Sequence, residues 1–146
     1  MTTSSELKIL ADSFRSSLRH AVYLSRSLDT GSELSIMQVS ILNMAVSGSR
    51  VSVIATNLGI RVPSATEQII KLEKAGLVRR DKDPEDARAV QVNLTSEGQL
   101  QLNAANVLRN ARMAELLEPL TDTERAALAA AIPVIEKLNS KALERR

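Results

Sequence analysis

The stretch VSVIATNLGIRVPSATEQIIKLEKAG, residues Val51–Gly76, decides the fold. Ile54, Ala55 and Leu58 fall on one face of a short helix over about residues 51 to 58, and Gly59 marks its end. Pro63 suits the first position of a second helix, where a missing N–H leaves no bond unmade. Ala65, Ile69 and Leu72 are that helix's inward stripe, and Gly76 closes it. A short helix, a tight glycine-marked turn and a second helix form the helix-turn-helix pattern. After Gly76 the period changes. Leu77 and Val78 start a strand, and Val90, Val92 and Leu94 alternate with Gln91 and Asn93 as a half-buried strand does. The charged segment between the two strands, from Asp83, is then an exposed hairpin tip.

Working outward, the flanks are helical. Thr3 with Glu6, Ser35 with Gln38, and Thr121 with Glu124 have the spacing of capping boxes. The first opens an amphipathic helix that ends near residues 29–31. The second opens a helix carrying Val39, Ile41, Leu42 and Ala45. Thr95 or Ser96 caps a long helix that reaches about Leu117 and is ended by Pro119. The last helix carries Leu128, Ile132, Ile135, Leu138 and Ala142, with Pro133 expected to kink it. Apolar stripes at both chain ends exceed what one small lobe covers, which predicts a two-fold homodimer.

The 146 residues suit one domain, and at 44% hydrophobic content the chain can bury a core. Phe14 and Tyr23 are its only aromatic residues, so that core is aliphatic, as in helices packed on helices. With no cysteine, a disulfide, a zinc–thiolate site and a thiol nucleophile are all excluded. A single histidine, no glycine-rich phosphate loop and no convergent carboxylates argue against an enzyme, a metal site or a cofactor. No apolar run approaches the roughly 18 residues a membrane span needs, and the first residues lack signal-peptide character. The expectation is a cytoplasmic protein with no membrane partner.

Net charge is only +2, but its distribution is uneven. Residues 50–82 hold seven basic side chains against three acidic ones. On the second helix of the motif, Pro63, Glu67, Ile70, Lys71 and Lys74 lie roughly opposite the inward stripe, with Ser64 to one side. Such a face can enter a major groove while the helix N-terminus meets a phosphate. Arg61, Ser64, Thr66 and Lys71 would add phosphate or base contacts, and Glu67 could accept from a cytosine amino group. At the hairpin tip Arg88 is the candidate for a narrow minor groove, steadied by Asp86. The plainer reading is a solvated helix face and an exposed ion pair worth at most about 1 kcal/mol.

Three segments, LSIMQVSILNMAV (Leu34–Val46), VIATNLGIRVPSATEQIIKLEKAGLVRR (Val53–Arg80) and DPEDARAVQVNLTSEG (Asp83–Gly98), together resemble the multiple-antibiotic-resistance-regulator (MarR) family. The resemblance implies one domain over residues 1–146, mainly α with a small β-hairpin wing. A winged helix-turn-helix lobe at 34–98 would be flanked by dimerisation helices at 1–30 and 99–146. It implies a homodimeric regulator on double-stranded DNA, a ligand-responsive repressor at a pseudo-palindromic operator. Arg88 matches the family's minor-groove arginine and Asp86 its acidic partner. Ala87 stands where the family often has arginine, Glu67 where a basic residue is common, and Gln68 where the residue is usually apolar. Many members take a small aromatic effector between the dimer region and the lobe. Arg19, His20 and Tyr23 would line such a cleft from the first helix, although a lone helix histidine is more often simply exposed. The absence of cysteine excludes thiol-based sensing. The alternative is a helical interaction module that kept the fold but lost DNA binding, a reading that Glu67 and Ala87 favour.

Overall fold

The computed structural model describes residues 3–28 and 33–144. The chain divides into two compact units, residues 1–33 and 34–146. The first is helix α1 (Ser4–Ser27). Its capping box forms: the Thr3 hydroxyl accepts from the Glu6 N–H at 3.2 Å, and the Glu6 carboxylate accepts from the Thr3 N–H at 2.6 Å. None of its residues is buried. Its expected end, residues 29–31, lies outside the described residues.

The second unit runs α2 (Ile36–Ala45), β1 (Ser49–Arg50), α3 (Val51–Leu58), α4 (Val62–Lys74), β2 (Val78–Lys82), β3 (Val90–Leu94), α5 (Ser96–Leu117) and α6 (Asp122–Glu144). It is mainly helical, with one small antiparallel sheet in the order β1-β3-β2. The hairpin is in register from Val78 opposite Leu94 to Lys82 opposite Val90. The two-residue β1 was not anticipated. It pairs Ser49 with Val92 and Arg50 with Gln91, and is too short to carry any alternation of its own.

The expected apolar stripes make the core. Val39, Ile41, Leu42 and Ala45 of α2, Ile54 and Ala55 of α3, and Ala65, Ile69 and Leu72 of α4 pack with Leu77, Val78 and Val92 of the hairpin. Fully burying each large aliphatic side chain contributes about 1.5–3 kcal/mol. Gly59, at φ 66°, supplies the left-handed residue that turns α3 toward α4. Helix α4 starts one residue before the expected Pro63, with Arg61 as an N-cap that makes no side-chain cap bond.

Helix α5 is fastened where it leaves the hairpin. The Thr95 hydroxyl accepts from the Gly98 N–H at 3.0 Å and donates to the Gly76 carbonyl at 2.6 Å. A Cβ on Gly98 would collide with the Leu77 carbonyl, so only glycine admits this approach. Farther along, Arg109 Nη2 donates to the Leu34 carbonyl at 2.9 Å. Arg125, in the first turn of α6, donates to the Leu117 and Glu118 carbonyls at 3.2 and 2.6 Å and so caps the end of α5. Helix α6 runs through Pro133 and buries none of its residues.

Candidate nucleic-acid interface

Helix α4 buries Ala65, Ile69 and Leu72 and turns Arg61, Pro63, Ser64, Glu67, Lys71 and Lys74 to solvent. Thr66 is half-buried, and its hydroxyl donates back to the Val62 carbonyl at 2.9 Å. Ile70, expected on the outward face, is half-buried. On that face Lys71 Nζ lies 2.9 Å from Glu67 Oε1. The hydrogen bond and charge of Lys71 hold the Glu67 carboxyl below its ordinary range. Two side chains expected to act separately are therefore paired before any ligand arrives.

Pairing continues through the basic segment. Arg50 is bound to Asp83, Arg79 to Asp81, and Arg80 to Glu73. With Lys71, four of the seven basic residues between 50 and 82 are neutralised, leaving Arg61, Lys74 and Lys82 without an ion pair among the described residues. The positive excess is thus weaker than the residue count implied. Asp81 also accepts from the Asn93 amide at 2.8 Å. The Arg79 and Asn93 bonds hold its carboxyl low.

The hairpin tip delivers Arg88 as expected. Its side chain is 93% exposed, and its Nε donates to Asp86 Oδ1 at 3.3 Å. Asp86 Oδ1 also accepts the Arg88 N–H at 3.0 Å, so one carboxylate oxygen aims both backbone and side chain. Between α4, the start of α3 and the wing lies an open cavity of about 310 Å³, lined by Arg50, Ser52, Val62, Thr66, Arg80 and Val90.

The base of the tip departs from the expectation of a solvated loop. Asp83 is only 8% exposed. Arg50 grips it with two bonds, Nε to Oδ2 at 2.8 Å and Nη2 to Oδ1 at 3.0 Å. Asp83 Oδ1 also accepts the N–H groups of Glu85 and Asp86 at 2.9 and 3.0 Å. The Arg50 bond, followed by the Glu85 N–H, holds this carboxyl well below the usual range. The aspartate–proline pair was a legible turn signal, but Arg50, 33 residues away, carried none.

Arg19, His20 and Tyr23 are all exposed on α1. Arg19 reaches Ser16 Oγ at 3.4 Å. Among the described residues no group of three or more acidic or histidine side chains is placed to hold a metal ion. No described helix is long and apolar enough to cross a membrane.

Residues 47–90, the segment from the turn before β1 through the wing tip, match the model of the MarR family. No curated protein sequence matches the chain. Among solved structures, the transcriptional regulator BldR from Sulfolobus solfataricus is similar over 100% of both chains, at 26% identity and a TM-score of 0.72. A MarR-family transcriptional regulator from Rhodococcus sp. RHA1 matches 86% of this chain and 94% of its own, at 21% identity and a TM-score of 0.71. The PcaV transcriptional regulator from Streptomyces coelicolor, solved with its natural ligand, matches 85% of this chain and 89% of its own, at 27% identity and a TM-score of 0.61. The helix-turn-helix and its three-stranded wing thus carry a MarR-family segment over residues 47–90, on a fold shared with the transcriptional regulators that the chain resembles.

Proposed function

We propose that the protein is a homodimeric, sequence-specific DNA-binding regulator, a ligand-responsive repressor at a pseudo-palindromic operator. Each copy lays the outward face of α4 in a major groove and extends Arg88 into the flanking minor groove. The observation that carries this reading is Arg88 itself: almost fully exposed, yet aimed by Asp86. An arginine serving solubility alone needs no such guide. Arg61, Ser64, Thr66, Lys71 and Lys74 supply phosphate or base contacts, and Glu67 accepts from a cytosine amino group. The dimer is built from α1, α5 and α6. A small effector contacting Arg19, His20 and Tyr23 would weaken DNA binding by favouring another separation of the lobes. PcaV, with its natural ligand bound, lends support to an effector.

Fluorescence anisotropy with labelled duplex from upstream of the protein's own gene tests this, with a salt titration alongside. Binding that falls steeply with salt and favours one sequence over scrambled competitor is the expected result. No binding at low salt would leave the helical interaction module, which the Glu67–Lys71 pair and Ala87 favour.

A further inference from the structure

We propose that Arg50 is a positioning residue for the wing: its two-pronged bond to Asp83 fixes the direction in which Arg88 is presented. The proposal rests on the DNA-binding reading above. Strands β1 and β2 are not neighbours, because β3 lies between them. Arg50 belongs to β1, and Asp83 follows the last residue of β2. Their bond therefore ties the two outer strands together across the central one. Asp83 then passes the restraint on. Its Oδ1 accepts the Asp86 N–H at 3.0 Å, and Asp86 in turn accepts the Arg88 N–H at 3.0 Å and Nε at 3.3 Å. The backbone closes the same turn, with Asp83 N–H donating to the Ala89 carbonyl at 3.0 Å and Ala89 N–H to the Asp86 carbonyl at 2.9 Å. A continuous series of hydrogen bonds leads from the residue that precedes α3 to the guanidinium at the tip.

The donor geometry separates this role from direct phosphate contact. Arg50 spends Nε and Nη2 on Asp83, and Nη2 also lies 3.8 Å from Glu85. An arginine whose donors face two carboxylates is a poor anion ligand. A fork gripping a nearly buried carboxylate is instead a rigid joint, since both groups lose rotational freedom together.

The full-length protein tests the joint in two ways. Arg50→Met keeps the stem and removes the donors, while Arg50→Lys keeps the charge but not the fork. Amide hydrogen exchange at residues 85–90 should quicken in both variants, with the amides of α2 and α4 unchanged. Anisotropy on duplexes with A·T-rich and G·C-rich flanks should show each variant losing most of the A·T preference. On the A·T-flanked duplex Arg88→Ala should cost about tenfold in the parent and little in the Arg50→Met background, within the coupling expected inside one network. Recovery of A·T preference by Arg50→Lys, or equal Arg88→Ala losses in both backgrounds, would overturn the proposal and make Arg50 an ordinary charge. Unchanged exchange at the tip would overturn it too. A parent that binds no DNA defeats the DNA-binding reading, and with it the proposed role in aiming Arg88 at DNA; the exchange result then shows separately whether the joint stiffens the tip.

Discussion

The winged lobe and the end helices spend their apolar residues differently. In the lobe, α2, α3 and α4 bury their stripes against one another and the hairpin, so that Ile41, Leu42, Ile54 and Ile69 lose all contact with solvent. Helices α1 and α6 bury no residue, although each carries an equally regular stripe: Leu7, Leu10, Leu18 and Val22 on one, Leu128, Ile132 and Leu138 on the other stay exposed. Periodicity alone cannot tell these cases apart. It says that a helix has an apolar side, not whether the chain itself supplies the cover. The lobe is complete in itself, and the two exposed stripes are what the proposed homodimer would have to cover.

The largest effect that could break this contrast lies in the lobe. Leu42→Ala should lower unfolding free energy by about 2–5 kcal/mol, the cost of a cavity in a filled core. The loss should be the same at low and high protein concentration. Ile132→Asp on α6 should leave the lobe folded by circular dichroism, while sedimentation shifts from twice the chain mass toward the mass of one chain. If Ile132→Asp instead unfolds the lobe, or the parent already sediments as a monomer, the division of labour fails.

Smaller effects sharpen the same contrast at the lobe's surface. Arg88→Ala should weaken operator binding by about 1–3 kcal/mol while changing stability by less than about 0.5 kcal/mol. Equal affinity for parent and variant on every duplex would reduce the wing to a solvated loop. Glu67→Gln should release Lys71 from its pair and steepen the salt dependence of binding by up to about one unit of slope. A flatter slope would show that Lys71 never meets phosphate. The smallest effect is an acid one. Asp83 is held below its unfolded value, so its share of stability is fully present above the ordinary carboxylate range, near pH 4, and is lost as pH falls toward its depressed folded value. Tip amides should therefore exchange faster, relative to the lobe core, only at acid pH well below 4. Loosening already at pH 6 would point to another group.

What the sequence made legible follows from how local each signal is. The capping boxes at Thr3, Ser35 and Thr121 all form, because donor and acceptor sit three residues apart. The helix-turn-helix, the hairpin register and the Asp86–Arg88 pair are equally short-range. The Glu67–Lys71 pair was open to view at helical i,i+4 spacing. The bonds of Arg50 to Asp83 and of Arg125 to the end of α5 were not, since each joins elements whose meeting depends on the finished fold. Asp83 shows the consequence: in a run of charged residues it reads as solvated, and only the tertiary structure reveals the partner that permits its burial.

Gly98 gives α5 a mechanical character. The helix bears on the lobe at that residue, where the Leu77 carbonyl leaves no room for a side chain, and Leu102 and Ala105 seat its next turns. Arg109 ties a further turn to the Leu34 carbonyl, and beyond it the helix continues to a tip that Arg125 fastens to α6. The 22 residues of α5 make it about 33 Å long at a rise of 1.5 Å per residue. A tilt of about two degrees at this fulcrum then moves the far end by roughly an ångström. The gearing works in both directions. A rigid helix of this length would magnify a small adjustment of the lobe where α5 meets α6, and would return a shift of α6 to the lobe as a small change of angle.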